Sequence, residues 1–524
     1  MLRKLVTVIL AFGAAPAAPA QRQFRVDETS IAAVHAAIRS SRLTCHELVQ
    51  AYLERIAAYD KRGPAINAIT EVNPEALATA DSLDRRFAAT KQLVGPLHCI
   101  PMIVKDNFQT IGLQTAVGNI ALKGYTPTKD AFQVRRIKEA GAIVLAKSNM
   151  AEFAFSNVET VNSLLPGYTK NPFALDRVTA GSSGGTAAAV SANFGEVGLG
   201  TDTGNSIRGP SAHNALVGIR STMGLTSRAG IAPLSLLADI AGPIARSVAD
   251  AVAVFQVVAG YDPDDAVTDT IRGTGVPNYA ASLDPNGLRG ARIGVLRQAY
   301  ERPTLDSEVV RVFAKAIQDL RRAGATVIDT VIVAELDSIR RSNGKPCNPF
   351  KYEFNNWLAE QGDRVPVKLL DSIVRRRQYH PSVEVRLKAA MDFDQPPERA
   401  PGCLARQGVR NALRSATTGM MDRLRLDAVI YPTWSNPPRL IGDLNTPDGD
   451  NSQVFSPITG MPAITVPMGY TRGNLLPAGL QFLGRAFDEP NLIRLAYSYE
   501  QSTRWRREPP TVPPLERKRK MHSE

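Results

Sequence analysis

Residues 180–208 read AGSSGGTAAAVSANFGEVGLGTDTGNSIR, in which two serine clusters beside glycines are joined by an alanine-rich stretch and a short apolar run. Small residues are concentrated where backbone amides approach a ligand closely or where φ is positive. Serine hydroxyls beside such amides indicate a nucleophile next to a cluster of backbone donors. For any single serine of this kind, the alternative is a turn in which the hydroxyl bonds to its own backbone.

This stretch resembles the serine- and glycine-rich signature of the amidase signature family of amide hydrolases. Four further segments resemble the same family: GPLHCIPMIVKDN at 95–107, SRAGIAPLSLLADIAGPIARSVAD at 227–250, SPITGMPAITVPMGY at 456–470 and PAGLQFLGRAFDE at 477–489. The matching segments run from about residue 44 to residue 499, and only 334–424 matches poorly. The resemblance implies the amidase signature fold, a single α/β domain with a large mixed sheet covered by helices on both faces.

The resemblance also implies a catalytic set of three residues. Ser206 is the nucleophile, Ser182 is a bridging serine that follows a cis peptide bond, and Lys105 is the base that receives the proton through Ser182. Lysine can act as a base when burial lowers its pKa from about 10.4 toward about 7–8. Lys105 follows the apolar run 100–104, which predicts a buried strand. The alternative is that Lys105 ends this strand and pairs with a carboxylate.

An oxyanion hole is implied at the backbone N–H groups of Thr203, Gly204, Asn205 and Ser206. The family most often has glycine where this chain has Asn205. Asparagine is, after glycine, the residue that best tolerates a left-handed backbone. We therefore expect the loop to keep its geometry, with the Asn205 side chain added to the wall of the substrate pocket.

Three neighbouring residues, Asp202, Ser183 and Arg208, are expected to support the site rather than to react. Residues 181–185 also satisfy G-x-S-x-G, the motif that makes its central serine, here Ser183, a nucleophile in α/β-hydrolases. That motif must follow a strand, and 175–180 is a poor strand candidate. The pattern therefore disfavours Ser183 as the nucleophile.

The rest of the chain alternates helices and strands. Thr44 and Glu47 form a capping box ahead of a helix whose apolar face includes Leu48 and Ile56. Two helices that end at a glycine are each followed by a strand: 130–140 by 142–146, and 307–323 by 325–333. Such alternation indicates an α/β sheet covered by helices.

The first residues are typical of an export signal. Arg3 and Lys4 precede the apolar run 5–15, and Ala18 and Ala20 fit a cleavage site of the A-x-A type. The apolar run is too short to span a bilayer. We predict a signal peptide at 1–20, a single domain at 21–524, and a secreted or periplasmic protein without stable membrane insertion. An uncleaved anchor is the alternative.

Export into an oxidising compartment predicts disulfides, because the chain has four cysteines, an even number. Cys99 replaces a glycine usual in the family and lies beside the strand of the predicted base, and Cys45 begins the first long capped helix. We predict the pairs Cys45–Cys99 and Cys347–Cys403. The alternative is that some of the four are buried free thiols.

The net charge of +12 and the pI near 9.6 raise the question of a nucleic-acid partner. The charge is dispersed, with clusters only at 375–377 and 517–520, and no nucleic-acid-binding motif is recognised. The segment 506–524 is predicted to be a basic, proline-rich tail, with its basic end at 517–520 solvated. No cysteine and histidine cluster has the spacing of a metal site, and 198–204 misses the dinucleotide spacing. We therefore expect neither a metal nor a cofactor.

These observations predict an amidase that cleaves the C–N bond of a linear carboxamide, giving a carboxylic acid and an amine or ammonia. A glutaminase-type subunit of a tRNA-dependent amidotransferase is one alternative, which the export signal disfavours. A secreted binding protein without catalysis is another, which the intact Lys105, Ser182 and Ser206 disfavour. Residues 334–424 and 432–436 are expected to shape the pocket for a small-molecule amide. The identity of that amide, ester cleavage and a homodimer remain open.

Overall fold

The computed structural model describes residues 24–341 and 346–515. The predicted signal peptide at 1–20 and the basic run at 517–520 lie outside the described residues. Within them, no helix has the length and apolar character needed to cross a bilayer.

One large mixed sheet organises the fold. Thirteen strands occur in the described residues: β1 Ile69–Val72, β2 Pro101–Lys105, β3 Ile143–Ser148, β4 Lys170–Asn171, β5 Ala174–Val178, β6 Val197–Asp202, β7 Val217–Arg220, β8 Ile240–Ala245, β9 Arg292–Val295, β10 Thr326–Ile328, β11 Ala428–Pro432, β12 Ala463–Thr471 and β13 Leu476–Leu483. Eleven of these form one sheet in the order β1-β3-β2-β6-β8-β7-β12-β13-β11-β9-β10, and β4 pairs with β5 separately. This agrees with the predicted fold class.

Helices pack on this sheet. The described residues contain fifteen: α1 Ile31–Arg39, α2 Cys45–Tyr59, α3 Ala76–Thr90, α4 Phe132–Glu139, α5 Gly184–Ser191, α6 Arg208–His213, α7 Val248–Val258, α8 Ser307–Arg322, α9 Leu336–Arg341, α10 Phe350–Glu360, α11 Leu370–Arg375, α12 Glu384–Met391, α13 Pro401–Arg423, α14 Phe455–Thr459 and α15 Glu489–Thr503. Successive residues of a strand point to opposite faces. Ile244 of β8 clusters with Val190 of α5, whereas Ala245 clusters with Val252 of α7. Helices therefore cover both faces.

The strand directions bring the candidate site residues to one edge. β2 runs parallel to β3 and β6, so the carboxyl ends of these strands lie together. β8 is antiparallel to β6, with Ile240 opposite Asp202. The start of β8 therefore lies at the same edge as the ends of β2 and β6.

The local predictions agree with most of these elements. Glu47 N donates to Thr44 Oγ1 at 3.1 Å and Thr44 N donates to Glu47 Oε2 at 2.9 Å, which confirms the capping box of α2. The helices expected at 130–140 and 307–323 are present as α4 and α8. The strand expected at 325–333 is shorter, because β10 covers only three residues.

One expectation is wrong. The sequence makes 175–180 a poor strand candidate, yet β5 occupies most of these residues, paired with β4 outside the large sheet.

The described part of the predicted tail is packed on the body. There Arg55 Nη2 donates to Val512 O at 2.8 Å, and Arg506 forms an ion pair with Glu28. The solvated end predicted at 517–520 lies outside the described residues.

Both expected disulfides are present. The Cα atoms are 5.2 Å apart in Cys45–Cys99 and 4.8 Å apart in Cys347–Cys403. The first bond joins the start of α2 to the residues just before β2. His98 lies beside it, but neither sulfur is a free thiolate ligand while the bond is intact.

Candidate active site

Lys105 is the last residue of β2, a strand whose five positions are all buried. β2 lies between β3 and β6 in the sheet, so the lysine at its carboxyl end lies inside the protein. Its Nζ donates to Ser182 Oγ at 2.7 Å and to Thr201 Oγ1 at 2.7 Å. Both of its acceptors are hydroxyl groups.

Burial lowers the pKa of Lys105 to about 7, while the carboxylates of Asp202 and Asp239 act in the opposite direction. Burial disfavours the charged ammonium, because the interior solvates it poorly. A substantial fraction of the side chain is therefore neutral near pH 7 and able to accept a proton.

Ser182 lies in a tight loop before α5. The peptide bond between Gly181 and Ser182 is cis, as the resemblance implies. Ser182 O accepts a hydrogen bond from Ala151 N at 3.1 Å. A Cβ at Gly181 would lie 2.6 Å from Ser156 O and 2.7 Å from Glu159 O, so this position excludes a side chain. Close backbone contacts thus explain the glycine in front of the serine.

The Ser183 hydroxyl bonds to β6 and not to Lys105 or Ser182. Its Oγ donates to Thr201 O at 3.1 Å and accepts from Thr201 N at 3.3 Å, which ties the loop to β6. A hydroxyl held by two backbone groups of a neighbouring strand has a structural role. The supporting function expected of Ser183 fits these contacts better than the α/β-hydrolase motif does.

Ser206 lies in the loop between β6 and α6, and Asp202 organises this loop. The Asp202 carboxylate contacts Arg208 Nε at 3.0 Å and Arg220 Nη1 at 2.9 Å, and all three side chains are fully buried. Burial alone would raise the pKa of Asp202, but Arg208 and Arg220 outweigh it and hold that pKa well below its usual range. Arg208 Nη2 also donates to Gly204 O at 2.6 Å.

The four backbone N–H groups of residues 203–206 have no protein acceptor in the described part of the chain. The Thr203 hydroxyl donates to Asp239 Oδ1 at 2.5 Å, and the same carboxylate accepts from Leu234 N and Ser235 N. A run of free amides beside a serine offers donors to a negatively charged oxygen.

The Asn205 side chain closes one side of this loop. Its Nδ2 donates to Asn157 O at 3.3 Å, and its Oδ1 accepts a long hydrogen bond, 3.5 Å, from Ser206 Oγ. Asn205 does not have a positive φ. The tolerance of asparagine for a left-handed backbone is therefore not needed at this position, and it was the wrong reason to expect the loop to keep its geometry. Within the described residues, Ser206 and Ser182 share no hydrogen bond.

Sequence reasoning missed four residues of the site. Thr201 accepts from Lys105, and Asn107 Nδ2 donates to the same Thr201 Oγ1 at 3.2 Å. Asp239 binds Thr203, and Arg220 binds Asp202. Asp239 lies within 227–250, a segment that carried the family resemblance without a residue assigned to it. Asn107 and Thr201 also lie in segments that carried it, 95–107 and 180–208, whereas Arg220 lies outside all of them.

Comparisons with known proteins identify the family of the chain. The family model described as Amidase matches residues 47–493. A probable amidase of Arabidopsis thaliana is 32% identical over 522 residues, which cover 96% of this chain and 95% of that protein. One subunit of the glutamyl-tRNA(Gln) amidotransferase of Moorella thermoacetica is 33% identical, over 90% of this chain and 96% of that subunit. The native peptide amidase of Stenotrophomonas maltophilia superposes with a TM-score of 0.81, at 36% identity over 92% of this chain and 98% of that one.

Proposed function

Because the chain belongs to the amidase signature family, we propose that it hydrolyses a linear carboxamide through an acyl-enzyme on Ser206. The observation that carries this proposal is the buried hydrogen bond of 2.7 Å between Lys105 Nζ and Ser182 Oγ. A lysine whose pKa is lowered to about 7 can serve as a base at neutral pH.

Acylation begins with a proton relay. Neutral Lys105 takes the proton of Ser182 Oγ, which takes the proton of Ser206 Oγ. The hydroxyl of Ser206 must leave Asn205 Oδ1 and turn toward Ser182, and a hydrogen bond of 3.5 Å offers little resistance to this rotation. Ser206 Oγ then forms a bond to the substrate carbonyl carbon, giving a tetrahedral intermediate.

The negative oxygen of this intermediate would bind the free backbone N–H groups of residues 203–206. The ion pairs of Asp202 with Arg208 and Arg220 keep these donors in place, so little reorganisation is needed during the reaction. The C–N bond then breaks, and the proton held by Lys105 returns through Ser182 to the leaving nitrogen. Water attacks the acyl-enzyme by the same relay and releases the carboxylic acid.

The glutaminase component of a tRNA-dependent amidotransferase would use the same relay, and relatives of this kind share about a third of their residues with the chain. The export signal predicted at 1–20 and the two disulfides favour a secreted or periplasmic hydrolase instead. Structural similarity to a peptide amidase supports a small amide or peptide amide as the substrate.

Labelling with a fluorophosphonate probe tests the proposal. The mature protein should be labelled, and mass spectrometry should find the adduct on the peptide that contains Ser206. Ser206→Ala should abolish both labelling and amide hydrolysis, whereas Ser183→Ala is the matched control at a buried serine of the same signature. An adduct on Ser183, or no adduct on a folded protein, would contradict the assignment of Ser206. A panel of amides and esters then identifies the substrate class.

A further inference from the structure

A cavity of about 940 Å³ opens beside the candidate active site. It lies between α4, the loop at 228–237 and the helices α10 and α13 of the region 334–424. Neither Lys105, Ser182 nor Ser206 is among the residues that line it. Its volume suits a small organic molecule.

The wall of this cavity has an excess of negative charge. Seven carboxylates line it against four cationic side chains: Asp130, Asp262, Asp264, Asp265, Glu353, Glu360 and Glu398 against Lys129, Arg135, Arg228 and Arg364. Some are already neutralised, since Asp130 pairs with Lys138 and Arg135 pairs with Glu139. Asp262 is deeply buried, but both of its oxygens accept hydrogen bonds. The carboxylate that matters most is a buried one that has no cationic partner and keeps one oxygen without a hydrogen bond.

Glu353 of α10 is that residue. Only 5% of it is exposed. Its Oε2 accepts from Leu236 N at 2.8 Å, while its Oε1 has no hydrogen bond and no cation pairs with it among the described residues. Burying a carboxylate without a counter-charge is unfavourable. The wall of the cavity therefore contains one strong acceptor, Glu353 Oε1, that has no donor or cation as its partner.

The nearest guanidinium does not fill this role. Arg228 Nη2 and Nε bind the Asp265 carboxylate at 2.6 and 2.9 Å, and Arg228 Nη1 donates to Leu236 O. Its charge is thus matched by Asp265. Burial raises the pKa of Glu353 to about 8, and the charges of Asp239 and Glu398 act in the same direction. The hydrogen bond from Leu236 N and the charge of Arg228 act against burial without outweighing it. A cation bound beside Glu353 would stabilise the ionised carboxylate and so lower its pKa.

Aromatic side chains lie next to the same carboxylate. Trp357 is one helical turn after Glu353 on α10, so both side chains project from one face, and Tyr352 also lines the cavity. Aromatic faces attract organic cations, and tryptophan does so most strongly. A carboxylate with neighbouring aromatic rings suits an alkylammonium or alkylguanidinium group better than a hydrated metal ion.

We infer that this cavity is a binding site for a small organic cation, whose charged head pairs with Glu353 and whose carbon stem packs on Trp357. Lys105, Ser182 and Ser206 do not line this cavity, so binding there does not require the hydrolytic reaction. Its ligand can therefore be sought by binding alone.

Isothermal titration calorimetry with n-butylguanidinium tests the inference at about pH 9, above the pKa of about 8, where most of Glu353 is ionised. Its neutral isostere n-butylurea is the matched ligand. The wild-type protein should bind the cation at least about tenfold more tightly than the urea, the difference expected from one hydrogen-bonded charge. Equal affinities, or no binding of the cation, would overturn the site.

Glu353→Gln assigns the binding to this residue. The amide keeps an acceptor for Leu236 N, so the fold should survive, and an unchanged melting temperature checks this. Affinity for butylguanidinium should fall about tenfold, while affinity for butylurea stays the same. Glu75→Gln, at an exposed residue outside the cavity, has the same change in net charge and should bind like the wild type. An unchanged affinity in Glu353→Gln would refute the pairing. If that variant does not fold, the two ligands compared on the wild type still decide the question.

Discussion

Lys105 and Lys147 lie on neighbouring parallel strands, β2 and β3, and both are fully buried, yet their partners differ in kind. Lys105 donates to two hydroxyl groups. Lys147 donates to Phe108 O at 2.6 Å, to Gln114 O at 3.0 Å and to Thr115 Oγ1 at 3.2 Å. Burial lowers the pKa of both, to about 7 for Lys105 and about 8 for Lys147.

The kind of partner decides what each lysine can do. A carbonyl oxygen only accepts, and the Thr115 hydroxyl donates to Phe108 O at 3.1 Å, so no partner of Lys147 is placed to give its amine a proton. A hydroxyl can also donate, so Ser182 can turn its proton toward Lys105 when that amine is neutral. Burial alone therefore does not identify a base. The comparison predicts that Lys105 acts as the base in the reaction and that Lys147 stabilises the fold around residues 108–115.

The largest expected effect comes from Lys105→Met. Removing the base should lower kcat for a small amide by about 10²–10⁴-fold, the usual contribution of general acid–base catalysis. The free energy of unfolding near pH 6 should not fall, because a buried ammonium is replaced by an apolar side chain of similar length. Near-normal kcat would exclude this lysine as the base. Steady-state kinetics and urea unfolding measure the two quantities.

Lys147→Met is the matched substitution on the adjacent strand, and we expect the opposite result. Two buried carbonyl groups lose their donor and Asp106 loses a neighbouring cation, so the free energy of unfolding should fall by about 2–4 kcal/mol. The remaining folded enzyme should retain more activity than Lys105→Met. Equal losses of kcat in both variants would remove the distinction between the two lysines.

The pH dependence of stability sharpens this comparison. The folded pKa of Lys147, about 8, lies below the ordinary value of 10.5, so the unfolded chain binds more protons between these values. Lys147 therefore makes the free energy of unfolding rise with pH across this window. Unfolding measured at several pH values should show a smaller rise in Lys147→Met than in the wild type. The same slope in both proteins would show that the pKa of Lys147 is not lowered.

A smaller effect is expected from Thr201→Val, which removes one hydroxyl partner of Lys105. Losing an acceptor destabilises the ammonium, so the apparent pKa of kcat/KM should shift downward. Lys105 also loses a partner that orients it, so the plateau of kcat/KM at high pH should fall about fivefold. That factor corresponds to the loss of roughly one hydrogen bond. Thr115→Val removes the corresponding hydroxyl from Lys147 and is the control. A profile that shifts equally in both variants would indicate a general loss of packing rather than a contact with the base.

The sequence predicted the features that depend on short stretches of chain. The capping box of α2 and the buried strand that ends at Lys105 can be identified from neighbouring residues. The disulfide pairing of Cys99 was inferred from its place beside that strand. Other features depend on residues distant in the chain. β5 exists because it pairs with β4, and Asp239 meets Thr203 only because β8 runs antiparallel to β6.

The same reason explains why Thr201 and Asn107 were missed. Each is an ordinary polar residue in its own segment, and its role arises when β2 and β6 lie side by side. The charge on Glu353 is likewise meaningful only because α10 covers the loop at 228–237. The region 334–424 matches the family poorly, so the resemblance assigned no residue roles within it, while the fold shows which of its residues lie against the rest of the domain.

The pH dependence of the acylation rate tests the central claim most directly. Single-turnover acylation by a chromogenic amide or ester is measured from about pH 5 to about pH 9 in the wild type and in Lys105→Met. The wild-type rate should rise through an apparent pKa near 7, because Lys105 must lose its proton before it can act as a base. In Lys105→Met this rise should vanish. A wild-type rate that does not change with pH, or the same rise without Lys105, would contradict the account.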